Sequence, residues 1–176
     1  MQSKISGLIL KSQHFFESDK LIELFSPTQG KLKCLVKSAQ KSKSNFGGKL
    51  DPLCIIDAET FQGKSFLLIT QCSLKSDFSS IRTEFNTLQL ALFFLSIIQV
   101  STEFNQPNTA LYNLLISHLT QLSKHYHLET IKQSFYKQYL QVEGLYEENK
   151  IKITDTEFIN LLASYTHKKI TLPLQI

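Results

Sequence analysis

Hydrophobic and polar positions alternate along the first 75 residues in short runs, and each run ends at turn-forming residues. Apolar side chains that recur at every second position fall on one face of an extended chain. The breaks contain Pro27 and Gly30, then Pro52, then Gly63, which favour turns. We therefore predict β-strands at residues 5–11, 20–25, 31–37, 53–60 and 65–72. Five short strands of this kind are typical of a small closed or partly closed barrel.

The period of the pattern becomes helical from residue 82 onward. A first apolar stripe carries Phe85, Leu88, Leu92 and Leu95, and two later segments repeat this spacing. A Thr-x-x-Glu sequence at residues 154–157 has the form of a capping box that begins a further helix. We therefore predict an α+β chain in two parts, with a β-barrel domain at residues 1–80 and a small all-α helical domain at residues 81–176.

Charge is distributed unevenly between these parts, although the whole chain has a net charge of only +4. Residues 1–82 contain twelve basic and seven acidic residues, whereas residues 83–176 contain seven and eight. The amino-terminal half is therefore the half expected to bind a polyanion. Arg82 is the only arginine. Since arginine makes the bidentate contacts that read bases, binding through lysines is expected to be insensitive to base sequence.

Positive charge is most concentrated at residues 30–49, which contain six lysines and no acidic residue. Three of them alternate with apolar residues in the predicted strand 31–37, so they are expected on one surface. The loop that follows places further lysines beside this surface. We predict phosphate contacts from Lys31, Lys33, Lys37, Lys41, Lys43 and Lys49, and from Arg82 at the domain junction. The alternatives are an ordinary solvated lysine face and an Arg82 that only caps the junction.

Exposed aromatic rings would add to such a surface, because any base can stack on a ring, whatever its identity. Phe46 is the first candidate, since it lies in the basic loop, where no core pattern requires it. Phe15 and Phe16 are adjacent, so in an extended chain at least one of them should point away from the core. For each ring the alternative is that it fills the barrel.

The sequence contains no pattern of residues typical of a catalytic site. Cys34, Cys54 and Cys72 lie in apolar, strand-like runs without a Cys-x-x-Cys pair, and we interpret them as small buried residues. His118 lies on an apolar helical face and is interpreted as a core residue. We predict no enzymatic activity, no metal site and no cofactor.

Two features bear on location in the cell. The amino-terminal residues lack an apolar segment of signal-peptide length. The most apolar stretch, residues 88–100, is shorter than the ~20 residues needed to cross a bilayer. We therefore expect a cytoplasmic protein that does not enter a membrane.

Five short segments are informative about protein family through their order and spacing. They are Gly-Leu-Ile-Leu-Lys-Ser at 7–12, Glu-Ser-Asp-Lys-Leu at 17–21, Gly-Lys-Leu at 30–32, Lys-Ser-Ala at 37–39, and Ser-Asn-Phe-Gly-Gly-Lys-Leu-Asp-Pro at 44–52. In order and spacing they resemble the amino-terminal region of the RecO family of bacterial recombination mediators. The resemblance continues through Arg82 to residues 108–115. It implies an OB-fold barrel followed by a helical domain, in agreement with the periodicities.

The resemblance also implies a function. RecO proteins bind single- and double-stranded DNA, anneal complementary strands, contact the acidic tail of single-stranded DNA-binding protein, and work with RecR to help load RecA. This chain would then be a DNA repair and recombination mediator of the bacterial cytoplasm, associated with the nucleoid. Its partners would be DNA, RecR and that acidic tail rather than a small-molecule substrate. The lysines, Arg82 and Phe46 would be its DNA-binding residues.

Two departures from the family pattern matter. Where members typically have Lys-Gly-Ala-Arg-Arg, this chain has Lys-Ser-Ala-Gln-Lys at 37–41, and Asn45 replaces a frequent arginine. We therefore expect weaker DNA binding than is usual in the family. Many members carry a cysteine-rich zinc module, but residues 83–176 contain no cysteine, so zinc is not expected.

Three alternatives remain open at this point. A sequence-nonspecific RNA-binding OB-fold module would share the basic barrel and would differ by recognising the ribose 2′-hydroxyl. In a protein-interaction scaffold, the helical part would bind the partner and the lysines would only contribute to solubility. A hydrolase would need one of the three cysteines exposed beside a histidine.

Overall fold

The computed structural model describes residues 2–41, 44–124, 126–146 and 152–167. The chain folds into two compact units. The barrel unit consists of Met1–Asp77 together with Thr102–Asn108, and the helical unit consists of Phe78–Ser101 and Thr109–Ile176. We refer to Thr102–Asn108 as the strap, because this segment of the barrel unit comes from between two helices of the other unit.

The barrel unit contains β1 (Gln2–Phe15), β2 (Asp19–Ser26), β3 (Gly30–Val36), β4 (Ile55–Gln62) and β5 (Leu67–Ser76). The strands form a closed barrel in the order β1-β2-β3-β5-β4. The first half of β1 pairs with β4 and its second half pairs with β2, with a register shift between Ile9 and Lys11 where the partner changes. Strands β3 and β5 are parallel, and the other pairs are antiparallel. This five-stranded closed arrangement confirms the predicted OB-fold.

The barrel interior is filled from alternate positions of the strands, as the period of two predicts. Cys34 and Cys54 are buried among these residues, as predicted, whereas Cys72 is half-buried. Burial raises the pKa of the Cys34 thiol to about 12, so this side chain behaves as a small apolar residue. The core cluster contains Ile5, Ile9, Ile22, Leu24, Leu32, Cys34, Val36, Ala39, Leu50, Cys54, Ile56, Ala58 and Ile69.

The strap runs alongside the start of β3. Phe104 forms a parallel bridge with Lys31, and the Asn105 N–H donates to the Lys31 carbonyl over 2.9 Å. Gly30 has a φ of +74°, and a Cβ atom there would collide with the backbone of Gln106. Glycine is therefore required at this turn both for its conformation and for the close approach of the strap.

The helical unit contains a 3-10 helix (Ser79–Thr83) followed by α1 (Phe85–Ser101), α2 (Thr109–Ser123), α3 (Leu128–Val142) and α4 (Asp155–Thr166). Its core is rich in stacked rings: the ring centroids of Phe94 and Phe135 are 3.9 Å apart, as are those of Tyr136 and Phe158. Stacking between aromatic rings adds to the free energy gained by burying them. The four helices confirm the predicted helical second part.

Two local predictions for the helical unit are confirmed. Helix α4 begins with the predicted capping box: the Glu157 N–H donates to the Thr154 hydroxyl over 3.3 Å, and the Thr154 N–H donates to the Glu157 carboxylate over 2.9 Å. His118 is fully buried, and its Nδ1 lies 2.8 Å from the Leu114 carbonyl oxygen. Burial lowers the pKa of His118. Among the described residues, the helices are all too short or too polar to traverse a lipid bilayer.

Candidate nucleic-acid interface

The lysines of β3 do not share one surface, and the predicted surface position of Lys31 is wrong. Lys31 is only 4% exposed. Its ammonium group donates to the Thr102 carbonyl over 2.6 Å and lies 4.6 Å from the centroid of the Phe104 ring. Both partners belong to the strap. Because the strap lies far from β3 in the sequence, alternation within the strand alone could not reveal that it covers Lys31.

Lys33 is the lysine of β3 that reaches the surface. Its ammonium nitrogen lies 5.9 Å from the centroid of the Phe66 ring, at the limit of a cation–π interaction. Phe66 occupies this position because β3 pairs with β5 through Cys34 and Leu67, which places the preceding residues side by side. Glu23 lies opposite Lys33 in the pairing of β2 with β3 and adds a carboxylate at the edge of this surface.

Phenylalanine rings continue this surface towards the turn between β1 and β2. The Phe15 ring packs edge-to-face against Phe66, with centroids 5.7 Å apart, and against Phe16, with centroids 4.5 Å apart. Phe16 is 81% exposed. The prediction that at least one ring of the pair points away from the core is therefore confirmed, and Phe16 is that ring.

Two further lysines lie close to the same turn. Lys37 and Lys41 are exposed in the loop that follows β3. This loop is held against the start of β2: the Ser38 N–H donates to the Asp19 carboxylate over 2.8 Å, and the Gln40 side-chain amide donates to the Asp19 carbonyl over 2.8 Å. Since Asp19 directly follows the β1–β2 turn, these hydrogen bonds hold the loop that carries both lysines next to that turn.

The residues just described form what we call the aromatic–lysine face: Phe15, Phe16, Lys33, Lys37, Lys41 and Phe66. OB-folds bind oligonucleotides on the face of strands 2 and 3 and with the loops between strands 1 and 2 and between strands 4 and 5. Here β3 carries Lys33, the first of these loops carries Phe16, and the second carries Phe66. Lys33, Phe16 and Phe66 thus lie where this fold presents a ligand-binding surface. Lys37 and Lys41 lie in the β3–β4 loop, which is hydrogen-bonded to Asp19 beside the first of these loops.

The remaining side of the barrel carries mixed charge. Lys4 lies 3.9 Å from the Glu59 carboxylate, and Lys75 lies 3.3 Å from the Asp57 carboxylate. Carboxylates beside ammonium groups cancel much of the field that would attract a polyanion. Lys4 and Lys75 are therefore expected to attract phosphates less strongly than lysines that have no carboxylate partner.

The other residues predicted to bind DNA are located elsewhere. Phe46 is half-buried and packs against the barrel core, so the stacking role predicted for it does not fit its position. The Lys49 ammonium donates to the Asn45 carbonyl within its own loop, over 2.8 Å. Arg82 is exposed in the 3-10 helix and belongs to the helical unit rather than the barrel unit. Lys43 lies outside the described residues.

Metal-binding and thiol chemistry find little support in the part of the chain that the structure describes. There, no three histidine, cysteine, aspartate or glutamate side chains are grouped in a way that could hold a metal ion. Burial raises the pKa of the half-buried Cys72 thiol, which disfavours the reactive thiolate. Cys34 and Cys54 are buried and not exposed as the hydrolase alternative would require.

Comparison with known proteins agrees with this architecture. Residues 1–78 match the family described as "Recombination protein O N terminal". The chain is 29% identical over 146 residues to the DNA repair protein RecO of Alkaliphilus metalliredigens, with 82% of this chain and 59% of that protein covered. It is 31% identical over 121 residues to the DNA repair protein RecO of Acetivibrio thermocellus, with 69% and 48% covered.

A third relative covers still more of the chain. The DNA repair protein RecO of Clostridium kluyveri is 27% identical over 166 residues, which include 90% of this chain and 64% of that protein. The chain thus spans roughly half to two thirds of the length of these curated relatives. The family match covers the whole barrel, and the similarity to the relatives continues into the helical unit. The chain belongs to the RecO family.

Proposed function

We propose that the barrel unit binds single- and double-stranded DNA without sequence specificity, through the aromatic–lysine face, and that the protein acts in DNA repair and recombination. One observation carries this proposal: the exposed Lys33 and the exposed Phe16 ring are joined by a chain of ring contacts on the part of the barrel that OB-folds use for nucleic acids. The relatives, which are DNA repair proteins by name, support the biological setting.

The chemistry of the face favours binding without base readout. Lysine ammonium groups neutralise phosphates as point charges and release condensed counterions, a contribution that is the same for every sequence. Aromatic rings stack on any base. The single arginine, which could make a bidentate contact to a base edge, belongs to the helical unit.

The proposal extends to strand annealing and to help in loading RecA together with RecR, with the acidic tail of single-stranded DNA-binding protein as a further partner. The resemblance to the RecO family supports this part. The physical basis for annealing is that a face holding phosphates and stacking on rings leaves the base edges free to pair. Two complementary strands held in this way by separate molecules can meet without first being released.

Equilibrium binding and annealing with the wild-type chain test the proposed function. Fluorescently labelled oligonucleotides of unrelated sequence should bind with similar affinity. The logarithm of affinity should fall with the logarithm of salt concentration with a slope of about −2, as expected for the phosphates of a single strand that contact Lys33, Lys37 and Lys41. Addition of the protein should speed annealing of complementary strands. Absence of DNA binding, or stronger binding of RNA than of DNA of the same sequence, would contradict the proposal, and the second result would favour the RNA-binding alternative.

A further inference from the structure

Phe16 combines an unusual backbone conformation with an unusual degree of exposure. Its φ is +52°, in the left-handed region, where a side chain with a Cβ atom is disfavoured and a bulky residue is rare. Its side chain is 81% exposed, so burial of the ring does little to offset this strain. Strained residues of this kind are concentrated at functional sites, where the surrounding structure holds them in place.

Two of the other non-glycine residues with a positive φ show what offsets the strain. Leu53, with a φ of +74°, is completely buried in the barrel unit. Ser38, with a φ of +54°, donates its N–H to the Asp19 carboxylate. Phe16 instead presents a phenyl ring to solvent at the tip of the β1–β2 turn. A glycine or asparagine would satisfy the same turn at lower cost, so the turn alone does not account for the ring.

The surroundings of the ring suit a flat, unpaired base. Phe16 meets Phe15 edge-to-face, with an angle of 72° between the ring planes, and Phe15 meets Phe66 in the same way. These contacts fix the ring while leaving most of its surface open. The loop that carries Lys37 and Lys41 is bonded to the adjacent Asp19, so ammonium groups are available for the phosphates of a nucleotide whose base lies on the ring.

We propose that Phe16 stacks on one unpaired base at the β1–β2 turn and thereby gives the aromatic–lysine face a preference for single strands over duplex. This inference rests on the proposed function, since the lysines must first hold the strand. Bases inside a duplex are already stacked on each other and do not present a face to the ring. The lysines therefore act on both forms of DNA, whereas Phe16 acts only on the unpaired form.

The first test is Phe16→Gly, which removes the ring and fits the left-handed backbone without strain. The thermal midpoint should stay the same or rise, while the affinity for single-stranded DNA should fall roughly 5- to 150-fold, the range for losing one base–ring stack. The affinity for duplex and the salt slope should not change. Phe85→Ala is the matched control, because it removes a ring that is 76% exposed from helix α1 of the other unit and should leave DNA binding unchanged.

The second test uses the absence of tryptophan from the chain. Phe16→Trp places a single indole fluorophore at the turn, and its emission should be quenched on addition of a single-stranded oligonucleotide but not of blunt duplex. Phe85→Trp should show no such quenching. If Phe16→Gly binds single strands as well as the wild type does, or if the emission of Phe16→Trp does not respond, the inference is wrong. Equal losses from Phe16→Gly and Phe85→Ala would also overturn it.

These tests separate the inference from the proposed function on which it rests. If a variant lacking Lys33, Lys37 and Lys41 loses affinity for both forms of DNA while Phe16→Gly does not, the face binds DNA and the stacking role fails. If neither variant changes the affinity, both fail. Selective loss of single-strand binding in Phe16→Gly supports both.

Discussion

Replacing Lys33, Lys37 and Lys41 together by alanine is expected to weaken binding to single-stranded DNA about 100-fold at about 0.1 M salt, because each phosphate contact contributes a factor of about five at that concentration. The same variant should flatten the salt dependence by about two units of slope, at roughly 0.7 per contact. All three side chains are exposed on the aromatic–lysine face, so the fold should be retained. Fluorescence anisotropy over a series of salt concentrations measures both quantities.

Lys4 and Lys75 provide the matched control for this variant. They are lysines of the same barrel, but their ammonium groups face the carboxylates of Glu59 and Asp57. Their joint replacement by alanine should change neither the affinity nor the salt slope appreciably, although it also lowers the net charge. If the control weakens binding as much per lysine as the triple variant does, net charge alone explains binding, and the aromatic–lysine face has no special role.

Lys31→Ala is expected to reduce the free energy of unfolding by about 2–3 kcal/mol, because it removes a charged hydrogen bond and a cation–π contact and leaves the buried Thr102 carbonyl with fewer donors. Chemical denaturation of the purified protein measures this change. The neighbouring Lys33→Ala, at an exposed position, should stay within about 0.5 kcal/mol of the wild type.

In DNA binding the order is reversed: Lys33→Ala should have the larger effect and Lys31→Ala the smaller one. Lys31→Ala should keep the wild-type salt slope when it is measured under conditions where the protein is folded, whereas Lys33→Ala should flatten it. A Lys31→Ala protein of wild-type stability with a flatter salt slope would mean that Lys31 contacts phosphate after all. The position of the strap over β3 would then be wrong for the DNA-bound form.

Much of the fold follows from local periodicity. A period of two in the first 75 residues and a helical period after residue 82 are sufficient to predict a barrel followed by helices. The capping box at Thr154 follows from two side chains three positions apart. These features depend on neighbours in the sequence, and neighbours are visible in a single chain.

Features that depend on distant contacts could not be predicted in this way. The regular alternation of Lys31 with Leu32 and Cys34 predicts a surface position, yet a carbonyl 71 residues further along the chain binds the Lys31 ammonium group. Phe46 interrupts a polar loop, which predicts an exposed ring, but the Phe46 side chain packs against the barrel core. Adjacency alone indicated that Phe15 or Phe16 would be exposed. The left-handed conformation of Phe16 decides which of the two rings is exposed, but the turn contains no glycine or asparagine from which this conformation could be predicted.

The central claim is that the aromatic–lysine face is the DNA-binding surface, and heteronuclear NMR of the isotopically labelled protein tests it most directly. An oligonucleotide of about ten nucleotides, within the usual site size of one OB-fold, would be titrated into the protein. We expect the largest shifts in the backbone amides of residues 15–18, 32–41 and 63–67. Large shifts confined to the outer side of β1, β4 and β5 or to the helical unit, with those three segments unchanged, would contradict the claim.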